Sequence, residues 1–202
     1  MRIWAAALAL SMGVIAAAPS SAKPAAQGLY VAIGDSITFG YGLSAPGRDA
    51  FPYLVAQRLG VRVLDLGIPG VDARGALAME TPRVPQSATI ITIFVGTNDA
   101  DRIRRGTFSD AEFRSTYRTL IDAAHAAAPS ARIYLLTPST VMADEWGVND
   151  FIRSQASASA RLIDLDRDRR LHLHANYQPD FIHPNVAGQQ RIASDVIDGL
   201  RR

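Results

Sequence analysis

The stretch "YVAIGDSITFGYG", Tyr30 to Gly42, begins as a short apolar run and then breaks into Gly-Asp-Ser and further glycines. An apolar run of this length that ends in a turn signal is typical of a buried strand. The stretch therefore predicts a core strand whose end delivers Asp35 and Ser36 into a loop.

Apolar runs rich in β-branched residues recur along the chain, and the segments between them are long enough for crossover helices. The run "TIITIFV" is apolar almost throughout, as a parallel strand covered on both faces requires. This alternation predicts an α/β fold: one doubly wound, flavodoxin-like sheet of about five parallel strands with helices on both faces. The predicted strands are Leu29–Ile33, Val61–Leu66, Thr89–Val95, Arg132–Thr137 and Arg161–Leu165.

Two helices carry clear start signals. Ser109 followed by Glu112 has the spacing of a capping box, and Pro129 follows the predicted end of that helix. The last helix is predicted over Val186–Leu200, with Asn185 placed to cap it.

Composition limits the classes of function. The 202 residues fit one globular domain, and a net charge of +2 gives no electrostatic reason to expect a nucleic-acid partner. The chain has no cysteine, which excludes disulfides, thiol catalysis and cysteine-ligated metal sites. We expect a monomer.

The first 22 residues differ in composition from the rest. Arg2 is followed by an alanine-rich apolar run and then by Ser20, Ser21 and Ala22, which is the pattern of a cleaved signal peptide. A membrane anchor fits less well, because the run is short and mostly alanine. We therefore predict a signal peptide over 1–22, a short tail over 23–28, one domain over 29–202, and export to the periplasm or the medium without stable membrane insertion.

Polar and glycine-rich segments follow the predicted strands. In an open parallel sheet, the loops at the carboxyl ends of the strands form one crevice in which ligands bind. The segments that should meet there are Gly34–Ser36, Gly67–Gly70, Gly96–Asp99 and Asp180–His183.

These segments contain the groups that acyl transfer needs. Ser36 can be a nucleophile and His183 its general base, with Asp180 close enough in sequence to orient the imidazole. The N–H groups of Ser36 and Gly70 and the amide of Asn98 can donate to a developing oxyanion. Taken singly, Gly-Asp-Ser and Asn98-Asp99 are also ordinary turn sequences, and Asp180 and His183 could merely begin a helix. Their common position at strand exits favours a site.

With these residues the chain resembles the SGNH hydrolase family, also called GDSL esterases and lipases. The resemblance covers nearly all of the chain after residue 28 through the blocks "IGDSITFGYG", "LGIPG", "VGTND" and "DFIHPN". It implies that Ser36 is the nucleophile, that His183 is its base with Asp180 as partner, and that Gly70 and Asn98 belong to the oxyanion hole.

The sequence is most similar to small bacterial members of the thioesterase, arylesterase and lysophospholipase type. It differs from them at Asp65, where an asparagine is common, and at Thr97, where the thioesterase-like members often have glycine.

Three other motifs lead to no cofactor prediction. "GYGLSA" fits a dinucleotide fingerprint, but its glycines start too far beyond the strand. "DLDRDR" resembles the start of a calcium loop but has Arg169 in place of the turn glycine and Ala175 in place of the bidentate glutamate. His172 and His174 alternate as on a strand without a convincing third ligand. We expect no metal and no cofactor.

The sequence thus predicts a serine ester hydrolase that acts on short-chain acyl esters. A carbohydrate O-acetylesterase, a lysophospholipase and a non-catalytic exported binding protein remain alternatives. Specificity is expected from two segments taken to be loops, Ala100–Phe108 and Ser139–Asn149. The first carries Arg102, Arg104 and Arg105, which either attract an anionic substrate or are solvated charges, and the second carries Met142 and Trp146.

Overall fold

The computed structural model describes residues 28–202. The predicted signal peptide and most of the predicted tail lie outside this range. Within it, no helix has both the length and the apolar character needed to cross a bilayer.

The described chain contains one five-stranded sheet with the order β2-β1-β3-β4-β5, and every neighbouring pair is parallel. This order is that of the flavodoxin-like doubly wound fold, so the predicted fold class is confirmed. Each predicted strand is present, with ends that differ by no more than two residues. The strands are β1 Leu29–Gly34, β2 Arg62–Asp65, β3 Ile90–Phe94, β4 Arg132–Leu136 and β5 Ala160–Ile163.

Helices cover both faces of the sheet. The α-helices are α1 Ser36–Phe39, α2 Pro46–Asp49, α3 Phe51–Leu59, α4 Ala73–Gly75, α5 Thr97–Arg104, α6 Asp110–Ala127, α7 Val141–Glu145, α8 Val148–Ser154 and α9 Val186–Leu200. A π-helical turn over Ala76–Glu80 continues α4, and short 3₁₀ turns lie at Thr81–Arg83, Leu165–Arg167 and His174–Asn176.

The alternation of side chains along β1 shows why this strand is apolar throughout. Val31 and Ile33 pack into a core that includes residues of α6 and α8, whereas Tyr30 and Ala32 pack into a second core with α3 and α9. All four are fully buried. Neither face of β1 meets water, so apolar residues occupy both sets of alternate positions.

The predicted helix starts are confirmed. The N–H of Glu112 donates to Oγ of Ser109, and the N–H of Ser109 donates to the Glu112 carboxylate, which completes the capping box. The N–H of Gly188 donates to Oδ1 of Asn185 at the start of α9.

Two segments expected to be loops are largely helical. Residues 97–104 form α5 directly after β3, and residues 141–145 and 148–154 form α7 and α8. The sequence of α5, "TNDADRIR", holds few apolar residues, so it lacks the periodic apolar pattern from which helices are predicted.

Candidate active site

Ser36 is the first residue of the short helix α1, at the end of the buried strand β1. Asp35 caps this helix, and its Oδ1 accepts the N–H of Ile37 at 2.9 Å. Asp35 is only 1% exposed. The carboxylate therefore holds the turn through the backbone, as expected for an aspartate at this position.

His183 links the other two predicted groups. Its Nε2 lies 2.9 Å from Oγ of Ser36, and its Nδ1 lies 2.6 Å from Oδ2 of Asp180. The second oxygen of Asp180 accepts the N–H groups of Ile182 and His183 at 2.9 and 3.0 Å. The structure thus brings Ser36, His183 and Asp180 into one chain of hydrogen bonds.

The charge of Asp180 decides the direction of these bonds. Partial burial would raise the pKa of Asp180, but the hydrogen bonds from the imidazole and from two backbone N–H groups outweigh it and lower the pKa below its usual range. An ionised carboxylate only accepts, so Nδ1 of His183 carries the proton. Nε2 is then free to accept the proton of the Ser36 hydroxyl.

Two glutamines, which the sequence analysis did not single out, join the segment that carries His183 to the segment that carries Ser36. Gln178 donates its backbone N–H to the carbonyl of His183 at 2.8 Å and its side-chain amide to the carbonyl of Tyr41 at 2.7 Å. Gln189, buried in α9, donates to the carbonyl of Ile37 at 2.9 Å. The two side-chain contacts, from Gln178 to Tyr41 and from Gln189 to Ile37, span more than 130 residues of sequence, so no local pattern could indicate them.

One of the predicted oxyanion donors, the Asn98 amide, lies beside the turn that holds Ser36. Nδ2 of Asn98 donates to the carbonyl of Val71 at 2.8 Å and lies 3.5 Å from Oδ2 of Asp35. Gly70 has φ +79°, and a Cβ placed on it would have no heavy atom within 4 Å. The space that a side chain would occupy at this position is therefore open. Ser36 contributes an N–H from the first turn of α1, which a helix leaves without an internal partner.

The three arginines of the predicted specificity segment are all paired. Arg102 donates to the carbonyl of Gly70 at 3.1 Å and contacts Asp72 at 3.0 Å. Arg104 and Arg105 both pair with Asp101, at 2.7 and 2.8 Å. These contacts favour the interpretation as solvated, paired charges over that of a site for an anionic headgroup. They also place Arg102 beside Gly70.

A cavity of about 280 Å³ is lined in part by Phe181 and Ile182, the two residues that precede His183. Its lining includes Phe181, which is 60% exposed and adopts φ +56°, and the His174 ring, 4.9 Å away from the Phe181 ring. The ring of Tyr41, which is half exposed, lies 4.7 Å from the ring of His183. The complete lining is Thr97, Ser139, Thr140, His172, His174, Tyr177, Phe181 and Ile182.

Residues 28–202 contain no cluster of three or more histidine or acidic side chains placed to hold a metal ion. Nε2 of His172 is bonded to the carbonyl of Asp166 at 2.6 Å. The acidic groups of "DLDRDR" are engaged by arginines, since Arg153 contacts Asp164 and Asp166 at 2.9 and 2.6 Å.

A buried glutamate that sequence reasoning missed contacts the end of β1, two residues before Ser36. Glu80 is fully buried, and its Oε2 accepts the N–H of Gly34 at 2.8 Å. Burial is the main cause that raises the pKa of Glu80 to about 8; the N–H of Gly34 and Arg83 oppose the rise, while Asp35 and Asp65 add to it. The one signal in the sequence is an acidic residue that ends the apolar run "ALAME".

This pKa predicts that Glu80→Gln makes stability less dependent on pH. Folded Glu80 keeps its proton up to about pH 8, whereas the unfolded side chain loses it near 4.5. The wild-type free energy of unfolding therefore falls as pH rises between these values and levels off above the higher one. Thermal unfolding measures the Tm of the variant minus the Tm of the wild type. This difference should rise by about 5 °C or more from roughly pH 5 to pH 8.

Glu112→Gln is the matched control, because Glu112 is exposed and its pKa is lowered by its hydrogen bonds with Ser109. The Tm difference between that variant and the wild type should not change over the same range. A constant difference for Glu80→Gln as well would contradict the raised pKa.

The 2-1-3-4-5 sheet, with serine, glycine, asparagine and histidine at one end of it, defines the class of SGNH-type esterases. The chain belongs to the GDSL-like lipase/acylhydrolase family, whose sequence model matches residues 32–191. The predicted resemblance is thereby confirmed.

Solved structures share the fold at low sequence identity. The psychrotrophic esterase EstA from Pseudoalteromonas sp. is 19% identical with a TM-score of 0.70, over 86% of this chain and 97% of its own. Phospholipase A1 from Streptomyces albidoflavus is 19% identical with a TM-score of 0.66, and the match covers 85% of this chain and 99% of the phospholipase. A carbohydrate esterase family 2 enzyme from Corynascus thermopiles is 19% identical with a TM-score of 0.70, and the match covers 89% of this chain and 67% of the esterase chain. No curated protein sequence gives a significant match.

Proposed function

We propose that this protein is a serine hydrolase that cleaves short-chain acyl esters through an acyl-enzyme intermediate. The observation that carries the proposal is the hydrogen-bonded series Ser36–His183–Asp180, with its two distances of 2.9 and 2.6 Å. Its direction suits removal of the Ser36 proton, because Nε2 of His183 is the basic nitrogen.

In the first half of the reaction, Oγ of Ser36 attacks the ester carbonyl carbon while its proton passes to Nε2 of His183. The carbonyl electron pair moves onto oxygen, where the Ser36 N–H, the Gly70 N–H and the Asn98 amide donate to it. When the carbonyl re-forms, the bond to the alcohol oxygen breaks and His183 returns the proton to that oxygen. The acyl group is then covalently attached to Ser36.

In the second half, His183 takes a proton from water, and the resulting hydroxide attacks the acyl carbon. Collapse of this second tetrahedral species breaks the bond to Oγ, which regains its proton from His183 and releases the carboxylic acid. Asp180 stabilises the imidazolium in both halves, and its lowered pKa keeps it ionised for this role.

The shape of the site supports a small acyl group. The cavity of about 280 Å³, whose lining includes the two residues before His183, Phe181 and Ile182, is at the small end of the range for ligand sites. The rings of Tyr41 and Phe181 are both exposed to solvent. A carbohydrate O-acetylesterase is the second candidate, because the same exposed rings could stack on a sugar that carries the ester. We also propose export, on the basis of the composition of residues 1–22.

A fluorophosphonate probe tests the reaction class. We expect covalent labelling of the wild type that disappears in Ser36→Ala, together with hydrolysis of p-nitrophenyl esters that is fastest for the short acyl chains. Well-folded protein that is neither labelled nor active would favour a non-catalytic binding protein. Preference for acetylated xylan or for lysophospholipid over the p-nitrophenyl series would assign the alternative substrates.

A further inference from the structure

The π-helical turn over Ala76–Glu80 places its residues against the usual preference of their side chains. Met79 is 48% exposed, whereas the neighbouring Glu80 is fully buried. The N–H of Thr81 bonds to the carbonyl of Ala76, which makes this turn one residue wider than an α-helical turn. Such widened turns often occur at functional sites, and a carboxyl group is seldom buried without a reason.

The buried carboxyl completes a hydrogen-bond ladder that the sheet leaves unfinished. Strand β2 pairs with β1 only as far as Asp65, which lies opposite Ala32. Gly34 lies two residues further along β1, and its carbonyl accepts the N–H of Ile68. The N–H of Gly34, however, has no carbonyl of β2 opposite it. Oε2 of Glu80 accepts that N–H at 2.8 Å and so takes the place of the missing strand carbonyl.

We propose that Glu80 is a positioning residue for the nucleophile, and that its carboxyl fixes the turn from β1 to Ser36 by holding the N–H of Gly34. This inference rests on the proposed function, since it concerns the placement of Ser36 for attack.

The turn has little room to adjust if this contact is lost. A Cβ on Gly34 would lie 2.0 Å from Oγ1 of Thr38 and 2.8 Å from the carbonyl oxygen of Phe94, so the backbone there is in close contact with both α1 and β3. Asp35 and Ser36 are the next two residues of the chain. A shift of Gly34 is therefore passed to the Ser36 hydroxyl, and a displacement of about 1 Å at a reacting group can cost roughly 10²-fold in rate.

The charged groups around Glu80 fit a neutral carboxyl acting as an acceptor. Asp35 on the turn and Asp65 at the end of β2 both oppose a further negative charge, and Arg83 is the group that favours one. Because burial raises the pKa of Glu80 to about 8, the side chain is mostly protonated at neutral pH. It can therefore hold the Gly34 N–H without adding a charge beside Asp35.

Steady-state hydrolysis of p-nitrophenyl acetate and the rate of fluorophosphonate labelling test the proposal on three variants. Glu80→Leu has a similar volume but cannot accept the N–H, so we expect kcat and the labelling rate to fall about 10- to 100-fold with KM nearly unchanged. Glu80→Gln retains an acceptor oxygen and should stay within about threefold of wild type. Glu112→Gln makes the same chemical change at the exposed capping box of α6 and should have wild-type kinetics.

Circular dichroism and thermal unfolding show whether the variants fold. If Glu80→Leu does not fold, Glu80→Met replaces it, because a flexible thioether fills the same space without a strong acceptor. Wild-type kcat in a folded leucine or methionine variant would overturn the proposal, and so would a glutamine variant as slow as the leucine variant. Failure of the wild type to hydrolyse any ester or to be labelled would instead contradict the proposed function.

Discussion

Ser36→Ala is expected to lower kcat for a short-chain ester about 10³-fold or more, and His183→Ala to lower it by a similar factor. The double variant should be little worse than either single one. In the proposed mechanism Oγ of Ser36 and Nε2 of His183, 2.9 Å apart, act in one step, because attack by the hydroxyl requires transfer of its proton to the imidazole. Steady-state kinetics on the three variants measure the effect.

Ser194→Ala and His125→Ala serve as matched controls, since both residues lie on exposed helix positions of α9 and α6. Each should keep wild-type kinetics. Losses for Ser36 and His183 that add in the double variant would show that the two residues act independently, and the assignment of nucleophile and base would then be wrong.

Asn98→Ala is expected to lower kcat about 10²- to 10³-fold, roughly 3 to 4 kcal/mol of transition-state stabilisation, with little change in KM. The Asn98 amide donates to the carbonyl of Val71 at 2.8 Å, which orients the side chain. Its second contact, to Oδ2 of Asp35, is long at 3.5 Å, so an oxyanion can compete for the other N–H. Such a donor acts chiefly on the charge that develops in the transition state. Kinetics and thermal unfolding on the same preparation separate this role from a structural one.

Asn149→Ala is the control for loss of a buried asparagine amide. Asn149 is fully buried, and its Nδ2 donates to the carbonyl of Pro138 at 2.9 Å. We expect that variant to have a lower Tm and a largely unchanged kcat. If Asn98→Ala behaves in the same way, its amide only shapes the oxyanion loop, and the N–H groups of Gly70 and Ser36 are the remaining candidate donors.

The sequence alone was sufficient to predict the sheet and the residues at its carboxyl end. The stretch "TIITIFV" is apolar almost throughout because both faces of β3 are covered, and this pattern can be read from the local sequence. The helix starts at Ser109 and Asn185 were equally readable, since a cap acts within three residues of itself. Ser36, Asn98 and His183 could be proposed because each follows a strand or precedes the last helix.

Only the tertiary structure decided which distant groups support that site. The bond from Gln178 to Tyr41, that from Gln189 to Ile37 and that from Glu80 to Gly34 each join residues 46 or more positions apart. A glutamine or a glutamate in a sequence carries no sign of the carbonyl or N–H it will meet, because its burial depends on how separate segments pack. Periodicity and capping are short-range properties of the chain, whereas the partner of a buried polar group is set by the fold as a whole.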